Sequence, residues 1–236
     1  MIAVRRSGII ACRNFPLVYC NIPKSGCTTI KNVMHRIDTG SFLEDPLTIH
    51  SRTDLLVRSR LETDTIEARL KTDFVFTFVR NPLSRGYSCF NEKIATDGKY
   101  SIPEGTAAVQ SFGANFAGDQ TPDQHRANFK AFLRLVNAST KGEAIQNPHW
   151  LPQMFCFQKW VFPCRMPDFF GKVENLNKEM EFVLRFVGAD FDMATCPRMN
   201  EGPPPPFTLA EIIDDEIVEL AKTAYSADLR GFGYSL

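Results

Sequence analysis

Apolar and polar positions along the chain alternate between short continuous runs and runs with helical spacing. Leu17-Val18-Tyr19-Cys20 is an apolar run with β-branched and aromatic members, which predicts a short buried strand. Pro23 ends it, because proline has no N–H for the ladder and a fixed φ, and Gly26 allows a tight turn. Ile30, Val33, Met34 and Ile37 then fall on one face of a helix. The clearest strand is Phe74-Val75-Phe76-Thr77-Phe78-Val79, whose near-continuous apolar character suits a central parallel strand covered on both faces. Asn81 as N-cap and Pro82 at the first helical position predict a helix immediately afterwards, with Leu83, Tyr87, Phe90 and Ile94 as its buried face.

The remaining pattern is coarser. The stretch 39–46 is loop-like, and 54–70 is polar with enough leucines to be helical in part. The stretch 95–124 has four glycines, two prolines and little periodicity, which predicts a long loop or lid through about residue 125. Phe129, Phe132, Leu133 and Val136 mark a helix, Pro148 to Gln153 a turn, and Phe169 to Val173 a short strand. Met180, Val183, Leu184 and Val187 mark a helix that stops near Gly188. Pro203 to Pro206 form a stiff linker in 201–206, and Thr208 with Glu211 forms a capping-box pattern opening a last helix that contains Ile213, Ile217, Leu220 and Ala224. Strands interleaved with helices predict an α/β fold. At 236 residues and 44% hydrophobic, the chain fits a single domain over 1–236.

Charge and cysteine usage narrow the function classes. Lys+Arg and Asp+Glu both number 27, so a general nucleic-acid surface is not expected. The arginine-rich stretch 52–85 also carries acidic residues and reads as a mixed, solvated surface. No apolar run is long enough for a membrane span or a signal peptide. Seven cysteines without a CxxC pair argue against a zinc ribbon and for free thiols in a reducing, cytoplasmic setting. The spacing of Cys156 and Cys164 leaves a short bridge open.

The candidate chemistry lies in the first strand–loop–helix unit. A helix N-terminus offers unpaired N–H groups and a positive dipole end, Lys24 adds a cation, and Ser25, Thr28 and Thr29 add hydroxyls, together an anion site. The plainer alternative is an ordinary βα unit with a solvated lysine. A Walker A loop is excluded, since Lys24 precedes the one glycine of this loop, Gly26. Arg80, at the carboxyl end of the central strand, and Ser88, two turns into the next helix, form a second candidate anion site.

Pro23-Lys24-Ser25-Gly26-Cys27-Thr28-Thr29 resembles the 5′-phosphosulfate loop of sulfotransferases that use 3′-phosphoadenosine 5′-phosphosulfate (PAPS), in the form found in carbohydrate sulfotransferases (sulfotransferase family 2). Arg80-Asn-Pro-Leu-Ser-Arg-Gly-Tyr-Ser88 resembles the 3′-phosphate motif of the same family. His149-Trp150-Leu-Pro-Gln, Asp168-Phe-Phe-Gly-Lys-Val-Glu174 and the end from Tyr225 to Tyr234 are similar to it in the family's order. Golgi members carry an N-terminal anchor and stem that are not seen here, so the expectation is a short soluble relative, cytoplasmic unless the chain is a truncated form of a membrane-associated or Golgi-lumenal protein.

The resemblance implies a P-loop-like three-layer fold with a central, mostly parallel sheet flanked by helices. It also implies sulfuryl transfer from PAPS to an acceptor hydroxyl on a carbohydrate, leaving 3′,5′-ADP, with no metal and no nucleic-acid partner. Lys24 would neutralise the bridging oxygen. Ser25, Gly26, Cys27, Thr28 and Thr29 would hold the 5′-phosphate, and Arg80 and Ser88 the 3′-phosphate. Related sulfotransferases place a base histidine between the two motifs, which makes His50 the catalytic candidate and His149 the runner-up. His35 reads as structural or solvated, and His125 as a surface residue. A P-loop nucleotide kinase or hydrolase, and a non-catalytic phosphonucleotide- or glycan-binding relative, are the alternatives.

Overall fold

A computed structural model describes residues 8–52, 54–58, 62–160, 165–197, 199 and 204–236. In chain order the strands are β1 (Ile9–Ala11), β2 (Leu17–Cys20), β3 (Val57–Arg58), β4 (Phe74–Val79) and β5 (Phe169–Lys172). The helices are α1 (Cys27–Thr39), α2 (Thr48–Ser51), α3 (Thr63–Thr72), α4 (Pro82–Cys89), α5 (Pro103–Ser111) and α6 (Pro122–Lys141). They continue with α7 (Gln153–Trp160), α8 (Leu176–Phe186), α9 (Leu209–Ile212), α10 (Asp215–Ala224) and α11 (Ser226–Phe232). The described residues form two compact units: those up to Arg80 with those from Cys156 to 199, and Asn81–Phe155 with those from 204 onward. Neither unit is continuous in sequence, so composition along the chain carries no boundary between them.

The first unit holds the sheet, in the order β3-β1-β2-β4-β5. β2, β4 and β5 pair in parallel, while β1 is antiparallel to both β2 and β3. Four of the five strands therefore run one way, the mostly parallel sheet of an α/β fold. β2 is buried throughout and β4 nearly so, as their continuous apolar runs require. Leu17, Tyr19, Phe76 and Phe78 join Ile30, Val33 and Met34 of α1 and Met180, Val183 and Leu184 of α8 in one core. A Cβ on Gly171 of β5 would come within 2.4 Å of the Phe78 ring, so the third parallel strand packs there only with glycine. The Asp168 carboxylate accepts from the Val75 N–H at 2.8 Å and anchors the start of β5 beside β4. Arg69 of α3 donates to the carbonyls of Cys12 and Phe15 and ties that helix to the β1–β2 turn.

The second unit is helical. Asn81 caps α4 as expected, accepting from the N–H groups of Leu83 and Ser84 at 3.1 Å. Leu83, Tyr87, Phe90 and Ile94 are buried with Phe129, Phe132, Leu133 and Val136 of α6, and a π-helical turn, Phe90–Ile94, continues α4. Inside it, the Arg85 guanidinium, fully buried, donates to the carbonyls of Leu151 and Pro148 at 2.8 Å each. The buried Asp228 carboxylate of α11 accepts from the N–H groups of Gln153 and Met154 at 2.8 Å each. The turn 148–154 is thus held from both sides by ionisable groups.

Several expectations change. The stretch 95–124 is not all loop: α5 lies within it, with Gly105 and Val109 buried. Arg85 is core, not solvated surface, because its guanidinium replaces water with carbonyl acceptors. The last helix is two helices: the Thr208 N–H donates to Glu211 at 2.7 Å, opening α9, and then Asp214 accepts from Ile217 N–H and starts α10 afresh. A second strong cap inside a helical run divides it. Cys156 is buried; the bridge to Cys164 that the spacing leaves open falls outside the described residues, as does the first half of the linker 201–206.

Candidate anion site

Cys20 ends β2 and the chain turns through 21–26 into α1. Lys24 has φ 66°, the only non-glycine residue with positive φ among those described. Gly26 follows at φ 71° as the N-cap of α1, with no side chain capping the helix and no acidic residue in its first turn. The Ile30 N–H returns to the Gly26 carbonyl at 3.1 Å, so those of Cys27, Thr28 and Thr29 have no acceptor within the helix. Donors, a positive dipole end and Lys24 come together at this turn, and the first turn of α1 carries no acidic residue. Ser25 is buried at the base of the turn, Thr28 is nearly so, and Cys27 and Thr29 are half-buried.

Arg80 directly follows β4, the parallel neighbour of β2. The Thr77 hydroxyl donates to the Cys20 carbonyl at 2.7 Å, locking the two strand ends together. The structure therefore brings the 21–26 turn and Arg80 to the carboxyl ends of adjacent parallel strands in one unit, where open α/β sheets place ligands. Ser88, half-buried on α4, belongs to the second unit.

The histidines separate clearly. His50 sits on α2, with Nε2 2.9 Å from Thr28 Oγ1 and Nδ1 3.2 Å from Lys31 Nζ. His149 lies in the Arg85-held turn, its Nδ1 2.8 Å from Asn147 Oδ1. His35 is buried against the Ser41 carbonyl at 3.2 Å, a structural role. His125 is not a surface residue: it is buried, 3.2 Å from the Tyr87 hydroxyl, which itself donates to the Phe207 carbonyl. Burial holds the His125 imidazole below its ordinary value.

Lys31 was missed in the sequence. Its signal was present: it lies one helical turn after Thr28, so both face the same side of α1. Among the described residues, no group of His, Cys, Asp and Glu side chains is arranged to hold a metal, and no helix is long and apolar enough to cross a membrane.

Residues 7–235 match the family model described as the sulfotransferase family. Carbohydrate sulfotransferase 14 of Danio rerio is 28% identical over 176 residues, covering 73% of this chain and 46% of that protein. Carbohydrate sulfotransferase 14 of Homo sapiens is 30% identical over 185 residues, 77% of this chain and 46% of that protein. Carbohydrate sulfotransferase 11 of Rattus norvegicus is 27% identical over 181 residues, 73% of this chain and 50% of that protein. The matched part is about half the length of these relatives. No solved structure matches the chain.

Proposed function

The chain belongs to the sulfotransferase family, and from that premise we propose that it moves a sulfuryl group from PAPS to a hydroxyl of a carbohydrate. The observation that carries the reading is the uncapped N-terminus of α1, with Lys24 in its entry turn, beside Arg80 at the end of the neighbouring parallel strand. A 5′-phosphosulfate suits the first: the N–H groups of Cys27, Thr28 and Thr29 and the Ser25 and Thr28 hydroxyls hold its oxygens, with the backbone of Gly26 allowing close approach. Arg80 grips the 3′-phosphate through paired N–H donors. Ser88 is assigned to the same phosphate by the motif alone.

In the reaction, the acceptor oxygen forms a bond to sulfur as the bond from sulfur to the bridging oxygen of the phosphosulfate breaks. The electron pair leaves on that oxygen, giving 3′,5′-ADP, and Lys24 neutralises the charge that develops there. Such chemistry depends on positioning and preorganised charge. The acceptor's proton must also leave. For His50 to take it, one ring nitrogen has to be released from Lys31 or Thr28.

The family names carried by the relatives support a carbohydrate acceptor. The test is incubation with sulfur-labelled PAPS and a panel of desulfated glycans. Label on a glycan, released with equimolar 3′,5′-ADP, is the expected outcome. Turnover of ATP with no transfer from PAPS would replace this reading with the nucleotide kinase or hydrolase.

A further inference from the structure

Lys31, His50 and Thr28 are joined in one hydrogen-bonded series: Lys31 Nζ to His50 Nδ1 at 3.2 Å, and His50 Nε2 to Thr28 Oγ1 at 2.9 Å. Lys31 is only 4% exposed, so its ammonium is directed along this path and not out into solvent. An ammonium has donors and no acceptor, so Nδ1 must supply a lone pair to it. The neutral ring then carries its hydrogen on Nε2 and donates it to Thr28 Oγ1. Thr28 spends an oxygen lone pair on the ring and keeps its own hydrogen for another acceptor. Thr28 is the second residue of α1, among the N–H groups that have no acceptor in the helix.

We infer that Lys31 and His50 are positioning residues that fix the Thr28 hydroxyl as a donor to the 5′-phosphosulfate, and that His50 serves the anion turn and not the acceptor's proton. This deepens the PAPS reading and rests on it. Accepting a proton at Nδ1 would set an imidazolium directly against the Lys31 ammonium, while Nε2 already bears a hydrogen. The polarity of the series runs one way, from ammonium to imidazole to hydroxyl, and ends at the helix N-terminus. Its chemistry is that of anion recognition.

The discriminating substitution is His50→Gln. A glutamine amide can present its oxygen to Lys31 and an N–H to Thr28, yet it cannot act as a base near neutral pH. His50→Ala and Lys31→Met should each weaken 3′,5′-ADP binding by roughly 10- to 100-fold, the range for one hydrogen bond to a charged group. His50→Gln should restore both binding and single-turnover sulfuryl transfer to near the wild-type level. If His50→Gln and His50→Ala bind 3′,5′-ADP like the wild type and are equally dead in transfer, His50 is the base and the inference is overturned. A wild-type protein that binds neither PAPS nor 3′,5′-ADP would overturn the sulfotransferase reading instead. The relay is then read separately from the imidazole nitrogen-15 shifts of His50: the Nε2–H tautomer is required, and the Nδ1–H tautomer refutes it.

Discussion

Lys24 holds a backbone conformation that its own Cβ opposes, since φ is 66° where glycine would be at ease. A left-handed conformation costs a non-glycine residue about 1–2 kcal/mol. Such an outlier, in the turn that feeds an uncapped helix, points from strain to function. Lys24→Gly should therefore leave the protein as stable or more stable by up to about 1 kcal/mol, after the larger chain entropy of glycine is subtracted. The same variant should lose transfer activity and most phosphosulfate affinity. Lys24→Ala keeps the strain and loses the charge, so it should bind as poorly without gaining stability. Denaturant melts of the three proteins check this, and a clearly destabilised Lys24→Gly would show that the lysine side chain, not strain, dominates the site's stability. Arg80 gives a second expectation at this scale. Arg80→Ala removes a charge-assisted grip on phosphate, a loss of about 1.5–3 kcal/mol. Calorimetry should show that loss for 3′,5′-ADP and little change for 5′-AMP, which lacks the 3′-phosphate; equal losses would move Arg80 to the other phosphate.

At the scale of elements, the second unit carries a titratable group where the sequence promised surface. His125, at the start of α6, is enclosed by Tyr87, Phe90 and Phe207. Burial lowers its native pKa, while the unfolded chain keeps a value of about 6.5. As pH falls below about 6.5 the unfolded state takes up the proton first, so stability present above that value is lost through the window down to the depressed native value. Denaturant midpoints at about pH 7.5 and about pH 5.5 should differ more for the wild type than for His125→Phe, which cannot titrate. Equal losses would assign the pH dependence to other groups. The error about His125 has a physical cause. Local composition around it is polar, and the residues that bury it come from α4 and from Phe207, far along the chain. What was legible was local: the β2 and β4 runs, the Asn81–Pro82 cap and the α1 and α8 stripes each follow from neighbouring residues. The short strands β1 and β3 carry too few residues to show a period, and α5 lies in a stretch whose glycines mask it.

On the scale of the whole molecule, Lys24, Ser25, Thr28 and Arg80 could be proposed as site candidates from sequence because each sits where a strand ends and a turn or helix begins. Lys31, Arg85 and the anchoring by Asp228 were not legible as contacts, since their partners lie 19 to 75 residues away. The same long-range connectivity makes a prediction about unfolding. The chain between Phe155 and residue 204 belongs almost wholly to the first unit, so the two stretches of the second unit are joined in sequence only through it. With the first unit unfolded, the second would have to close that long loop with its own contacts, at an entropic cost. The two units should therefore melt in a single calorimetric transition, even though the proposed nucleotide contacts of Lys24, Thr28 and Arg80 all lie in the first. At about 100 times its dissociation constant, 3′,5′-ADP should stabilise the protein by about 2.7 kcal/mol and shift that whole transition upward. ATP with magnesium at the same concentration should shift it less, and EDTA should leave the 3′,5′-ADP effect in place. Two resolved transitions, with the ligand moving only one, would show that the units fold independently despite their interleaved chain.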